Sequence, residues 1–133
     1  IAELTRFPLY RIHVGLNDLA IDRNETRSIF LPLLDGTVDR IREQVSLPLG
    51  IAGLTHPEGG HPIPARLLLR EMARLECGFT FLRRAFHRDA NVYPPADLVA
   101  AIRAEGDVAR ARDAGEIAAD RQALHSAVRE TLS

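Results

Sequence analysis

The sequence predicts an α/β fold with a parallel sheet, and three observations lead to that prediction. Short apolar runs with strand character alternate with segments of helical period. Stretches rich in Gly, Pro and Asp separate most of them. The resulting order is strand, helix, strand, helix, strand and then helices. Strands that alternate with helices are typical of βαβ units, whose strands run parallel and whose crossovers are right-handed.

The first apolar run, residues 9–16, predicts a short buried strand in which Ile12 and Val14 share one face. A polar loop is expected over residues 22–26. The apolar stretch 28–34 fits neither helix nor strand periodicity clearly.

The first predicted helix follows Asp35-Gly36, with Thr37 as its expected N-cap. Its apolar positions recur at helical spacing, so that one face carries Val38, Ile41 and Val45. The apolar run 47–54 then predicts the second strand.

The second half of the chain begins with a Gly- and Pro-rich loop over residues 55–64, and Pro64 suits the first position of the helix that follows. Gly78 is the expected end of that helix, and residues 79–86 predict a third strand. Beyond residue 96 the chain is expected to be helical, with breaks at Gly106 and Gly115. The apolar positions expected to face the core in these helices are Leu68, Met72, Leu75, Leu98, Ile102, Leu124, Val128 and Leu132.

Size and composition limit the possible functions. The chain has 133 residues and a formal net charge of −1, which suits one domain and argues against a nucleic-acid surface. It has no signal-peptide pattern and no apolar run near the ~20 residues that cross a bilayer. A lone cysteine, Cys77, predicts a reducing compartment, the cytoplasm. All 17 basic residues are arginine, so the chain cannot supply a Schiff-base or P-loop lysine.

Three strands are too few to close a barrel, because a (β/α)₈ barrel needs about 250 residues. The chain is therefore either a small open α/β domain or the last part of a barrel. It starts at Ile1, without methionine, on what reads as the end of a helix. We therefore expect the C-terminal portion of a (β/α)₈ barrel over residues 1–133, with the last three βα units in 1–95 and C-terminal helices in 96–133.

The stretch Gly15-Leu16-Asn17-Asp18 follows the first predicted strand, where α/β proteins bind their ligands. Gly15 would allow a ligand to approach the backbone, Asn17 would orient ligand oxygens, and Asp18 offers the hard oxygen that Mg²⁺ or Mn²⁺ prefers. The structural alternative is that Asp18 caps the next helix while Asn17 forms an Asx-turn.

Other candidates admit two interpretations each. Gly53, Gly59 and Gly60 follow the second strand and suit a loop that holds a phosphate or carboxylate through backbone N–H groups; the alternative is a flexible turn. A metal loop over residues 56–61, with two histidines and a glutamate, is disfavoured because the segment is so short. One of the two arginines at positions 83 and 84 would reach a substrate carboxylate while the other pairs with a helix acid.

Two further residues have a structural explanation at least as good as a functional one. His13 lies inside the first predicted strand, where a packed, hydrogen-bonded histidine is the main alternative to a catalytic one. Cys77 precedes a glycine at a helix end and has no paired base, which favours a small buried hydrophobic residue.

An ordered set of segments carries a resemblance to a known family. The segments are HVGLNDLAI, FLPLLDGTVDRI, LPLGIAGL, PARLLLREMARL and FTFLRRAF, and they span about residues 9–88. In order and spacing they resemble the end of the HpcH/HpaI aldolase and citrate lyase β-subunit family, a phosphoenolpyruvate/pyruvate-type barrel. The closest branch has two serines around the last strand arginine, where this chain has Arg83 and Ala85.

The resemblance implies a divalent-metal-dependent carbon–carbon lyase. Its Gly-x-x-Asp-Leu motif matches residues 15–19, which makes Asp18 the expected ligand of Mg²⁺ or Mn²⁺. The metal would act on an α-keto acid or acyl substrate through an enolate, which is Lewis-acid chemistry. We expect the substrate to contact Gly15, Leu16, Asn17, Gly53 and Arg84; no catalytic residue is assigned.

The family's metal-binding Glu and its catalytic Arg lie on earlier strands. We therefore expect residues 1–133 alone to be inactive and the whole protein to be a cytoplasmic homo-oligomer, without nucleic-acid or membrane partners. The alternative is a binding or scaffold barrel that keeps the fold and lacks the chemistry. A free-standing small α/β domain is a third possibility, disfavoured because it would lack the acidic pair and lysine of receiver-like modules.

Overall fold

A computed structural model describes residues 1–133 and shows an α/β chain that is mostly helical. After a 3₁₀ turn at Leu4–Arg6, the elements in chain order are β1 (Ile12–Val14), α1 (Leu16–Asp22), α2 (Leu31–Leu34), α3 (Thr37–Gln44), β2 (Leu49–Ile51), α4 (Ala65–Arg74), α5 (Arg84–Asp89), α6 (Pro95–Arg110) and α7 (Ala114–Glu130). No helix combines the length and the apolar character that a membrane span requires.

The sheet has two parallel strands, as the alternating order predicted, but both are short. Ile12 pairs with Leu49 and Val14 with Ile51. Val14 and all of β2 are buried, so these strands form one side of the core. The predicted first strand is too long at both ends, because residues 9–11 are exposed and α1 begins at Leu16.

The predicted third strand over residues 79–86 is wrong for most of its length. Only one parallel bridge forms, between Gly50 and Phe79. The hydroxyl of Thr80 donates to the Ile51 carbonyl at 2.6 Å and continues this contact for one more residue. From Arg84 the chain is helical, and this turn of helix buries Phe86 in a way that the apolar run alone could not distinguish from a strand.

The predicted cap of α3 is also corrected. Gly36, with φ 76°, occupies the N-cap position, and Thr37 is already helical. The carboxylate of Asp35 accepts from the Thr37 N–H at 2.9 Å, so an aspartate two residues earlier, and not the Thr37 hydroxyl, satisfies an N–H at this helix start. The predicted apolar face is present, with Val38 and Val45 buried.

Helix α4 begins one residue later than predicted and ends well before the predicted glycine, Gly78. Pro64 takes the N-cap position rather than the first helical one. The helix ends at Arg74, and the left-handed residue after it is Glu76, with φ 54°, instead of a glycine. Gly78 lies beyond the helix and donates its N–H to the Leu49 carbonyl at 2.9 Å, which joins this segment to β2.

The C-terminal part forms two helices, but neither predicted glycine separates them. Gly106 lies inside α6, where it is buried, and Gly115 is the second residue of α7. The break lies between them, at a capping box in which Asp113 accepts from the Glu116 N–H and Glu116 accepts from the Asp113 N–H.

Helix α4 lies between the sheet and the two C-terminal helices, α6 and α7. Its apolar face contributes to one core with the strands, and its polar face is cross-linked by arginines. Arg70 donates to Glu105 of α6 and to Asp120 of α7, both at 2.9 Å. Arg74 donates to Asp39 of α3 at 2.7 Å. The buried side chains of the core cluster include Val14, Val38, Leu49, Ile51, Leu54, Ile63, Leu68, Leu69, Met72, Leu124 and Val128.

Candidate functional site

The carboxyl ends of β1 and β2 open into one small cavity of about 130 Å³. All predicted substrate- and metal-binding residues except Arg84 line it. This is the position at which parallel sheets bind ligands, because the strand ends and the loops that follow converge there. The lining consists of His13, Gly15, Leu16, Asn17, Asp18, Ile29, Phe30, Ala52, Gly53 and Arg83.

Asp18 lies in the first turn of α1, and its side chain folds back over Gly15. A Cβ built on Gly15 would lie 3.1 Å from Asp18 Cγ and closer still to Oδ2. Gly15 is the N-cap residue of α1, and no side chain caps that helix. The carboxylate therefore does not make the predicted capping bond, although its position near the positive end of the helix is favourable. Asp18 is exposed and free to meet a ligand.

His13 closes one side of the cavity. Its ring packs against Phe81 at 4.5 Å between centroids and against Phe79 at 6.3 Å. Its Nε2 atom is buried and has no hydrogen-bond partner. Burial, followed by the nearby Arg83 guanidinium, lowers the pKa of His13, while Asp18 acts in the opposite direction. The imidazole is therefore neutral at pH 7, and it offers an unsatisfied nitrogen.

Arg83, rather than Arg84, lines the cavity. Arg83 is the extended residue that precedes α5, with φ −121° and ψ −162°, whereas Arg84 is the first residue of the helix. None of the ion pairs of the chain includes Arg83. The sequence indicated that one of the two arginines would face the site, but the start of α5 determines which one does.

A second cavity, of about 360 Å³, lies beside the first along the free edge of β1. His13, Gly15 and Asp18 line both cavities. The sheet order leaves β1 with a partner on one side only. Since Ile12 donates to Pro48 of the segment before β2, the N–H and C=O of His13 point to the opposite, unpaired edge.

The loop after β2 is held in place by a hydrogen bond and a ring stack with residues of α5 and the segment after it, which argues against a flexible turn. The buried Thr55 hydroxyl donates to the carboxylate of Asp89 on α5, and His56 stacks on Tyr93 with centroids 4.8 Å apart. The N–H of Gly59 donates to the His56 carbonyl, so it is not available to an anion. Gly53, with φ 119°, is the glycine of this region that reaches the cavity.

The metal-ligating capacity of the chain is limited. No group of three His, Cys, Asp or Glu side chains comes together in this chain, the segment 56–61 included. Glu58 in that loop is paired with Arg66. Asp18 fits a hard divalent cation as one exposed carboxylate ligand, but further ligands must come from water, substrate or residues outside this chain. Cys77 is not such a ligand, because burial raises the pKa of its thiol to about 11.

Comparison of the chain with protein-family models, with curated proteins and with solved structures finds no match. The family resemblance of the motifs over residues 9–88 therefore remains an expectation.

Proposed function

We propose that this chain forms the last βα units of a (β/α)₈ barrel that binds a divalent metal and makes or breaks a carbon–carbon bond next to an α-keto acid. The observation that carries the proposal is the convergence of Asp18, His13 and Arg83 on one cavity at the carboxyl ends of parallel strands. An oxygen ligand for a metal, a neutral imidazole and a guanidinium without an ion-pair partner are groups that such chemistry uses. The unpaired edge of β1 leaves room for a preceding barrel strand.

Each side chain has a distinct part in the proposed site. Asp18 would hold Mg²⁺ or Mn²⁺ with partners supplied elsewhere, and the metal supplies Lewis-acid stabilisation of charge that develops on a carbonyl oxygen. Arg83 binds the substrate carboxylate through paired N–H groups. Asn17 orients substrate oxygens at the mouth of the cavity. His13 forms one wall of the site, and its buried Nε2, which has no partner within the chain, would bond the substrate once the ring turns toward the cavity.

The decisive experiment measures Mn²⁺ binding to the intact protein by electron paramagnetic resonance. Asp18→Asn is expected to weaken Mn²⁺ binding by at least tenfold. Asp97→Asn is the matched control, because it makes the same charge change in the first turn of α6, at an exposed carboxylate that lines neither cavity around Asp18, and it is expected to bind Mn²⁺ as the wild type does. If Asp18→Asn kept wild-type affinity, the assignment of Asp18 would be wrong.

A binding or scaffold barrel without metal chemistry is the second candidate. The observation that favours it is that Asp18 is a single carboxylate without a second ligand nearby. The two candidates differ in one result. A scaffold would bind pyruvate through Arg83 with or without Mn²⁺, whereas the lyase would bind pyruvate tightly only with Mn²⁺ present.

The assembly and location of the intact protein are also proposals. We propose a homo-oligomer in the cytoplasm, on the family resemblance and on the lone thiol of Cys77, which fits a reducing compartment. Sedimentation velocity over a hundredfold range of concentration would test the oligomer.

A further inference from the structure

A third cavity, of about 390 Å³, lies away from the strand ends, between α4, α6 and the segment 77–82. It shares no lining residue with either of the two cavities that Asp18 lines. Its walls are mostly aliphatic and aromatic, and its volume lies within the range of roughly 300–1,000 Å³ that is usual for small-molecule sites. The apolar lining is Leu54, Leu69, Met72, Ala73, Phe79, Leu82, Val99 and Ile102.

The polar groups inside this cavity are already satisfied or neutral. The Thr80 hydroxyl donates to the Ile51 carbonyl at 2.6 Å. The Cys77 thiol stays protonated, because burial raises its pKa to about 11. No acidic side chain lines the cavity. The interior therefore suits an apolar chain and offers nothing that would favour a cation.

The rim of the cavity carries two arginines on one face of α6. Arg103, Gly106 and Arg110 follow each other at spacings of three and four residues, which places them on the same side of the helix. Gly106 is buried, and a Cβ added to it would lie 3.5 Å from the Arg110 guanidinium. Arg110 pairs with the exposed Asp107. Arg103 takes part in none of the ion pairs of the chain.

We propose that this cavity binds a medium-chain fatty acid, with the alkyl chain between α4 and α6 and the carboxylate at Arg103. An apolar slot explains the affinity for the alkyl chain, since each methylene removed from water adds to the favourable free energy of binding. The unpaired guanidinium explains the choice of an anionic head group, because Arg binds a carboxylate bidentately. Arg110 is paired with Asp107 and adds little net charge to the rim, so Arg103 is the head-group ligand. The inference does not depend on the proposed lyase function.

The test uses decanoate and the intact protein in isothermal titration calorimetry, with decanol and decyltrimethylammonium as probes of the same chain length. Decanoate is expected to bind, decanol to bind at least tenfold more weakly, and the ammonium compound not to bind. Arg103→Ala is expected to weaken decanoate binding at least tenfold and to leave decanol unchanged. Arg129→Ala removes an exposed arginine that does not line the cavity, and it should leave the affinities for decanoate and decanol unchanged.

A second variant tests whether the alkyl chain lies against the apolar wall of the cavity. Val99→Phe adds a ring to the wall of the cavity and is expected to reduce binding of both decanoate and decanol, with circular dichroism melting used to verify the fold. Absence of decanoate binding, or binding that is the same for decanol and independent of Arg103, would overturn the proposal. Concentration-dependent self-association that Val99→Phe abolishes, without decanoate binding, would assign the cavity to a second copy of the chain instead.

Discussion

The carboxylate of Asp18 covers the Cα of Gly15, so that position 15 has no room for a methyl group unless Asp18 moves. The backbone of Gly15, with φ −84° and ψ 101°, is accessible to any residue. Glycine at this position therefore permits the observed placement of the Asp18 carboxylate and is not needed for the backbone conformation.

Gly15→Ala is expected to displace the Asp18 carboxylate without unfolding the protein. Asp18 is exposed and can rotate away at little cost, so the free energy of unfolding should change by less than about 1 kcal/mol. Mn²⁺ affinity should fall about as far as it does in Asp18→Asn. Calorimetric titration with Mn²⁺ and a urea melt of the same preparation test both parts. A variant that binds Mn²⁺ normally would show that the carboxylate position does not matter.

The two neighbouring arginines should differ in their contribution to substrate binding. Arg83 lines the cavity, and Arg84 does not. A hydrogen bond to a charged group contributes about 1.5–3 kcal/mol, so Arg83→Ala should weaken pyruvate binding roughly 10- to 100-fold. Arg84→Ala should leave the dissociation constant unchanged. Equilibrium binding of pyruvate in the presence of Mn²⁺ makes the comparison, and an equal effect of both substitutions would contradict it.

Gly50→Ala tests the contact that replaces the third strand. A Cβ at position 50 would lie 2.7 Å from the backbone oxygen of Phe79 and 2.6 Å from its ring. Backbone cannot move aside as a flexible side chain can, so we expect a loss of about 1–3 kcal/mol in the free energy of unfolding. Gly78→Ala is the control, since its nearest neighbour would be Pro48 Cβ at 3.9 Å. Urea denaturation should show a clearly larger loss of unfolding free energy for Gly50→Ala than for Gly78→Ala.

Asp120 should make the fold sensitive to acid. Partial burial acts to raise the pKa of Asp120, but hydrogen bonds from Arg112 and Arg70 overcome this and hold it below the ordinary value of 3.8. A carboxylate whose pKa is lower in the folded than in the unfolded state stabilises the fold. This stabilisation is fully present above pH 3.8 and is lost as the pH falls through the folded-state pKa. The side chain of Arg112 is only 6% exposed, so the pair is shielded on one side.

Asp120→Asn is therefore expected to cost about 1–3 kcal/mol at pH 7, less than a fully buried pair because Asp120 is partly exposed. Below pH 3.8 the difference between the variant and the wild type should shrink. Asp107→Asn, which breaks an exposed pair on α6, should cost less than about 1 kcal/mol. Thermal melts from pH 3 to pH 7 measure all three proteins. A constant difference over that range would exclude Asp120 as the titrating group.

Local sequence patterns were sufficient to predict several of the helices and strands of this protein. Alternation and helical period located β1, β2, α3, α4 and the two C-terminal helices, because burial of one face leaves a repeating apolar pattern. The strand-end rule also directed attention to residues 15–18 before their neighbours were known.

Long-range contacts decided what the sequence could not. The apolar run 79–86 has the composition of a strand, yet only Phe79 forms a bridge, with Gly50. From Arg84 the chain is instead helical, and this helix buries Phe86. That helix start selects Arg83 over Arg84. The burial of His13 Nε2 without a hydrogen-bond partner, and the packing of its ring against Phe81, are also visible only in the tertiary structure. Periodicity shows which face of a helix or strand is buried. The element that covers this face is distant in the chain, so only the tertiary structure identifies it.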